Sequence, residues 1–253
     1  IIAILLHPRI GDCLSNLEML SETVGSVMSV ASVSEKLEML DIFSKHLAFP
    51  CPILISEIAQ SHLKDMQFND IISFVNNCAS VRYGFDSNAF SSFIKKYVNT
   101  IRVVPIHTVV NLLENASSLG ILTDAIVTCQ LVSSMVSNES FVLMNEKDKA
   151  IIASKILTAT CVSLKELPDE LMNKLLAIIH GHEESIDSFD MKIISDFSSI
   201  RNSSNKPDVV KDTENAIFFV HSTDFMNGPN PTELTQLAKF RLFLMKHDNK
   251  SVS

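Results

Sequence analysis

The sequence predicts an all-α protein, organised as an α-solenoid of about five to six antiparallel helical hairpins with a terminal capping helix. Hydrophobic residues make up 46% of the 253 residues, with only 6 Gly and 8 Pro, a composition typical of folded helical proteins. Through residues 68–120, apolar residues recur at helical spacing on two helices. Each of these helices meets a glycine, Gly84 or Gly120, and the two glycines are 36 residues apart. Such self-similarity indicates helical repeats.

The N-terminal quarter predicts one amphipathic helix and one hairpin. The first helix falls within residues 14–27. Ser34 is expected to cap the next helix, with Lys36 on its outer face, and the proline-containing segment Phe49–Pro52 ends it. The second helix of this hairpin is predicted from Ile53 to Met66.

Two further hairpins are predicted in the middle of the chain. Glycine, proline and potential capping residues mark their boundaries. The expected landmarks are a start at Asn69 or Asp70, a turn over Tyr83–Asp86, Pro105 in the first turn of the next helix, a cap at Thr123 or Asp124 and an end near Val136.

The C-terminal part predicts a fourth hairpin over residues 146–179, a further first helix, and then a polar loop over Arg201–Asp208. A terminal helix is expected over Thr232–Lys246. We assign residues 1–200 to the repeat array and 201–253 to an irregular segment with the capping helix. Each first helix carries one apolar residue expected to anchor it in the core: Leu40, Ile72, Val110, Ile152 and Ile194.

The net charge of −8 and the pI near 5.5 argue against a nucleic-acid-binding protein whose whole surface contacts phosphates. The stretch from residue 82 to residue 102 is locally basic, because four basic residues and only one acidic residue give it a charge of +3. A patch of this kind can contact RNA phosphates, or it can be an ordinary solvated face. The basic residues are Arg82, Lys95, Lys96 and Arg102.

Asparagines on the predicted first helices form a second candidate binding surface. On one face of the array they can hydrogen-bond unpaired bases, a neighbouring protein or water. With no Trp and only 2 Tyr, an aromatic surface for base stacking is not expected. The asparagines are Asn69, Asn76, Asn77, Asn111 and Asn115.

No motif points to catalysis, so we expect no enzyme activity, no cofactor, no metal site and no small-molecule substrate. The densest cluster of potential metal ligands, His180 to Glu184, is interpreted as the end of a helix. Cys78 and Cys129 are expected to pack in the core, and the five cysteines together indicate a reducing intracellular compartment. No apolar run is long enough to span a bilayer. A start at Ile1 without methionine suggests a cleaved or missing upstream segment.

Two segments carry a family resemblance. Asp70–Tyr97 and His107–Met135 resemble the helical hairpins of organellar RNA-biology repeat proteins, the FAST-kinase-like, octotricopeptide and heptatricopeptide groups. The residues that match the first-helix pattern well are Asn111, Leu112, Leu113, Ala116, Leu119 and Gly120, and those that match in part are Ala79, Val81 and Tyr83. The resemblance extends more loosely to residues 32–63 and 147–179.

The resemblance implies a protein of the mitochondrial matrix or a plastid that is concerned with RNA or forms a structural ribosomal subunit. We expect no counterpart of the family's C-terminal RNA-processing domain, which together with the acidic balance favours the structural role. We therefore expect a non-catalytic accessory subunit of an organellar ribonucleoprotein, the mitochondrial ribosome first, with protein partners and some rRNA contact. The alternative is a protein-only scaffold in a respiratory, ATP-synthase or cytosolic complex.

Overall fold

A computed structural model of the chain describes residues 30–45, 50–63, 65–162 and 167–203. These ranges contain ten α-helices and no strand, which confirms the all-α prediction for the part described. The predicted helix within residues 14–27, Cys13, and the predicted terminal helix Thr232–Lys246 lie outside the described residues. The chain divides into two compact units between Asn138 and Glu139.

Helices of the first unit pack in two rows. One row is α1 against α3 and α3 against α5, and the other is α4 against α6. Aromatic ring contacts join α3 to α4. The helices described in this unit are α1 Val33–Lys45, α2 Pro52–Glu57, which continues as a π-helical turn over Ile58–His62, α3 Phe68–Ser80, α4 Ser87–Ile101, α5 Ile106–Ser118 and α6 Ala125–Val136.

Polar side chains fix several helix starts. Ser32, not Ser34, begins α1: its Oγ accepts from the Glu35 amide at 3.3 Å, while Glu35 accepts from the Ser32 amide at 2.8 Å. This reciprocal capping box satisfies two amides that have no partner within the helix. Asp86 and Asp124 cap α4 and α6 by accepting from amides two residues further on, at 3.0 and 2.9 Å. Of the two predicted caps, Thr123 and Asp124, it is therefore Asp124 that caps α6.

Lys36 is buried, which corrects its predicted place on the outer face of α1. Only 3% of it is exposed. Its Nζ lies 3.1 Å from Oε1 of Glu57 and 2.8 Å from Nε2 of His62. A buried ammonium needs such partners, and these come from positions 21 and 26 residues later in the chain. Helical periodicity within α1 alone could not reveal them.

The turns after α3 and α5 have the same geometry, with the predicted glycine in the left-handed position after α5 but not after α3. Gly120 has a φ of +69°, and its counterpart after α3 is Arg82, with a φ of +55°. In each turn the amide of the left-handed residue, Arg82 or Gly120, donates to the carbonyl of the residue three positions before it. The amide of the following residue donates to the carbonyl five positions before its own. These are the two bonds of a Schellman motif. The two turns are therefore 38 residues apart, the same distance as from Phe68 to Ile106 at the starts of α3 and α5.

Gly84 has a different role from Gly120. A Cβ added there would lie 3.2 Å from the carbonyl oxygen of Leu119, tighter than an ordinary contact. The α3–α4 turn thus packs directly on the backbone of the α5–α6 turn. Glycine allows this close approach between successive hairpins.

The core prediction is confirmed at every anchor. Leu40, Ile72, Val110, Ile152 and Ile194 are all buried. In the first unit, a chain of aromatic rings fills the space between α3 and α4. It links Phe68, Phe93 and Tyr97 with ring centroids 5.2–5.7 Å apart. The Tyr97 hydroxyl also donates to the carbonyl of Met66 at 2.8 Å, so the polar end of the cluster is satisfied.

Asn138 joins the ends of α4 and α6. Its side chain is fully buried. The Nδ2 group donates to the carbonyls of Ile101 and Val104 at 2.7 and 2.8 Å. Carbonyls at the end of a helix have no partner within it, so this amide satisfies groups that the neighbouring helix leaves open.

The second unit is built around its longest helix, α8, against which α9 and α10 pack. The short α7 was not predicted, and α10 continues to Ser203, into the segment predicted as a polar loop. The described elements are α7 Glu139–Leu143, α8 Glu146–Val162, α9 Asp169–Ile179, a 3-10 turn over Glu183–Ser185 and α10 Ser188–Ser203.

Asp190 makes the stability of the second unit depend on pH. Burial of the carboxyl, with the charge of Asp187 adding to it, raises its pKa, and Thr158 and Lys155 oppose this in part. A carboxyl whose pKa is raised by folding destabilises the fold once it ionises. We therefore expect Asp190→Asn to raise the urea midpoint of unfolding at pH 7 and to have no such effect near pH 3.

Glu170→Gln is the matched control, since Glu170 is an exposed acid in the first turn of α9. It removes a negative charge from a helix start without removing a buried carboxyl. An equal gain from both variants, or a gain from Asp190→Asn that persists near pH 3, would contradict the assignment.

Candidate functional site

An open groove between α4 and α6 contains two of the predicted basic residues. It has a volume of about 620 Å³. Lys95, Val98 and Arg102 line it from α4, and residues between Ala125 and Ser134 line it from α6. Lys95 and Arg102 are seven residues apart, two turns of α4, so their side chains fall on one side of the helix. Both are exposed.

The two cations of the groove differ in their local partners. Lys95 Nζ lies 3.6 Å from Oδ2 of Asp124, the capping carboxylate of α6. The Val127 amide is the main cause of the lowered pKa of Asp124, with contributions from the Ile126 amide and Lys95, so this carboxyl is charged at neutral pH. Arg102 makes no ion pair with any residue that the structure describes. It is the more available of the two.

Lys96 and Arg82, the other predicted basic residues, lie outside the groove lining. Lys96 is exposed on α4, with its Nζ 4.9 Å from the ring centroid of Tyr97, a cation–π distance. Arg82 is exposed in the turn after α3. The structure thus brings Lys95 and Arg102 together in one groove.

The asparagine surface is formed in part. Asn69, Asn76 and Asn111 are exposed and Asn115 is half-buried. Asn115 Nδ2 donates to Oδ1 of Asn76 at 2.8 Å, a bond that joins α3 to α5 across 39 residues. The two amides are therefore already partnered with each other, and each keeps one group, Oδ1 of Asn115 and Nδ2 of Asn76, for another contact.

Asn77 does not belong to this surface, which corrects its prediction as a binding residue on the exposed face. It is only 2% exposed. Neighbouring residues on a helix point about 100° apart, and in α3 this rotation turns Asn76 to solvent and Asn77 to the core. Nδ2 of Asn77 has no hydrogen-bond partner among the described residues.

Sequence reasoning missed the apolar and thiol groups at this face. Ile126 is 68% exposed in the groove, and Val103, just after α4, is 61% exposed. Cys129 lines the groove and is half-buried, which corrects its predicted place in the core. The sequence did contain a signal for the exposure of Ile126. The buried face of α6 includes Val127, Leu131 and Met135 at helical spacing, and Ile126 does not belong to that face.

Three thiols of the described chain, those of Cys78, Cys129 and Cys161, are poorly suited to act as nucleophiles. Burial raises the pKa of Cys129 and Cys78, and raises that of Cys161 to about 12. Such thiols stay protonated at neutral pH, whereas the thiolate is the reactive form. Cys51, Cys78, Cys129 and Cys161 form no disulfide with one another.

The histidine-rich segment is a helix end, as predicted. α9 ends at Ile179, and Gly181 follows with a φ of +87°. The Gly181 amide donates to Glu183 Oε2 at 3.0 Å, while His180 Nδ1 lies 3.3 Å from Glu183 Oε1. Among the described residues, no group of three or more His, Cys, Asp or Glu side chains is arranged to hold a metal ion.

None of the helices in the described ranges is long and apolar enough to cross a membrane. The α4–α6 groove is the best candidate site on its geometry and charge. Comparison of the chain with protein-family models, with curated proteins and with solved structures finds no match.

Proposed function

We propose that this chain is a non-catalytic α-solenoid subunit of an organellar ribonucleoprotein, the mitochondrial ribosome first, and that the α4–α6 groove contacts rRNA phosphates. One observation carries the proposal: Lys95 and Arg102, from a basic stretch of an acidic chain, line the same open groove. Phosphate contacts by Lys and Arg position a protein on RNA without reading bases. A subunit that docks on rRNA can be positioned by this kind of contact.

The two-row packing of the first unit supports the solenoid part of the proposal. First helices contact first helices, and the second helices α4 and α6 contact each other. The turns after α3 and α5 share one motif at a spacing of 38 residues. Repeats that contact their neighbours in this way grow in one dimension and offer extended surfaces for docking.

The spacing of the two groove cations supports contact with an extended polyanion. Lys95 and Arg102 are separated by about 10 Å along α4, because each helical residue advances 1.5 Å. Arg102 keeps helical backbone angles, with φ −71° and ψ −22°. Side chains that far apart reach different phosphates of a strand rather than the same one. A single small anion would not need both.

Replacing Lys95, Lys96 and Arg102 together by Glu is expected to abolish most RNA binding. Each phosphate contact adds about 0.7–0.9 to the slope of log affinity against log salt. The triple variant should lower that slope by about two, measured by fluorescence anisotropy with a labelled RNA hairpin. Circular dichroism checks that the helices persist.

The matched control replaces Lys147, Lys174 and Lys192 by Glu, three exposed lysines of the second unit. It changes the net charge of the chain by the same amount. The groove assignment predicts a much smaller loss of binding in this control. Equal losses from both variants would show that only overall charge matters, and unchanged binding by the first variant would overturn the RNA contact.

A second candidate function is a protein-only scaffold, as in a respiratory or ATP-synthase assembly. The exposed Ile126 and Val103 favour it, since apolar side chains beside a groove suit a protein partner. Sedimentation of a detergent lysate, with and without RNase, separates the two functions. The ribosomal proposal expects the protein to travel with large ribosomal particles, and an RNase-insensitive complex without rRNA would overturn it.

A further inference from the structure

The turn after α3 places an arginine in a backbone conformation that favours glycine. Arg82 has a φ of +55° and is the only residue other than glycine with a positive φ in the described ranges. This left-handed region crowds the Cβ of an L-residue against the following carbonyl. Gly120, with a φ of +69°, occupies the same position after α5.

Nothing in the turn itself requires an arginine. Both turns make the same pair of backbone hydrogen bonds, from Arg82 and Tyr83 in one and from Gly120 and Ile121 in the other. The Arg82 side chain is exposed, and within the described part of the chain it makes no ion pair or hydrogen bond. The strained conformation is therefore not offset by any contact of the guanidinium that the structure describes.

The turn that carries Arg82 is held in place by the next hairpin. Its Gly84 lies against the carbonyl of Leu119, where even a Cβ would approach to 3.2 Å. Asp86, at the end of the turn, is fixed as the cap of α4. A cation on such a turn loses little backbone freedom when it binds, which favours affinity.

We propose that Arg82 is an anchor residue of the RNA-contacting surface and binds one backbone phosphate through its guanidinium. This inference rests on the proposed function and adds a named contact outside the α4–α6 groove. The planar guanidinium donates two parallel hydrogen bonds to a phosphate, a geometry that lysine cannot reproduce. The anchor explains why a position that favours glycine carries a long cationic side chain.

The test is Arg82→Gly in the full chain, with Arg82→Lys as its partner variant. Arg82→Gly should raise the urea midpoint of unfolding and yet weaken binding to a labelled RNA hairpin several-fold. The slope of log affinity against log salt should fall by about one, the value for a single phosphate contact. Arg82→Lys should keep most of the slope, because the charge remains, but bind more weakly than wild type.

The outcomes separate this inference from the proposed function. If the wild-type chain binds no RNA, the proposed function and this anchor fail together. If the wild-type chain binds and Arg82→Gly binds with the same affinity and slope, only the anchor is overturned. A labelled polyglutamate peptide is the second probe: loss of binding to it, with RNA binding unchanged, would assign Arg82 to an acidic protein partner instead.

Discussion

Phe93→Ala is expected to lower the free energy of unfolding of the first unit by about 3–5 kcal/mol. Phe93 is only 1% exposed and lies at the centre of the aromatic cluster. Its ring centroid is 5.7 Å from that of Phe68, 6.1 Å from Phe90 and 5.2 Å from Tyr97. Truncation removes three ring contacts and leaves a cavity between α3 and α4. Urea denaturation followed by circular dichroism measures the loss.

Two control variants test the Phe93→Ala prediction. Phe93→Leu keeps an apolar side chain in the space and should cost clearly less than the alanine variant. Val103→Ala removes a side chain that is already exposed and should change the midpoint little. A loss from Phe93→Ala as small as that from Val103→Ala would mean that the aromatic cluster does not hold α3 against α4.

Asn138→Ala is expected to destabilise the first unit by about 2–4 kcal/mol, the second largest effect. The substitution removes a buried amide that donates to two carbonyls, at 2.7 and 2.8 Å. The carbonyls of Ile101 and Val104 then lose this donor where water cannot easily replace it. Urea denaturation again gives the loss, and hydrogen exchange at the end of α4 should show it locally.

Asn138→Asp tests the same contact without changing the shape of the side chain. It replaces the donating NH2 group by an oxygen that faces the two carbonyls, so it should destabilise at least as much as alanine at pH 7. Asn99→Ala is the matched control, since Asn99 is exposed near the same end of α4. If the two alanine variants lose equal stability, the buried amide is not what joins these helix ends.

Much of the fold follows from local patterns. Apolar spacing places all five core anchors correctly, and turn residues mark the boundary between α3 and α4. Two of the errors have a common cause, because they depend on contacts distant in sequence. Lys36 is buried against Glu57 and His62, which periodicity within one helix cannot show. Gly84 is needed for contact with Leu119, not for a positive φ.

The candidate site was predicted less completely. The clustering of charge in sequence singled out Lys95 and Arg102 together with Lys96 and Arg82. Lys95 and Arg102 are two helical turns apart and so share a side of a helix. It could not show that α6 forms the other wall, or that Asp124 stands beside Lys95. It also could not separate Asn76 from the buried Asn77, because their environment depends on how α3 is rotated in the row.

The burial of Asn138 also bears on covalent modification. Asn138, Glu139 and Ser140 form an Asn-x-Ser acceptor for N-linked sugar. The sugar would attach to Nδ2, the atom that donates both hydrogens to the carbonyls of Ile101 and Val104. Attachment would take one of those hydrogens and place a bulky group in a buried site. Glycosylation at Asn138 and native folding of the first unit are therefore mutually exclusive.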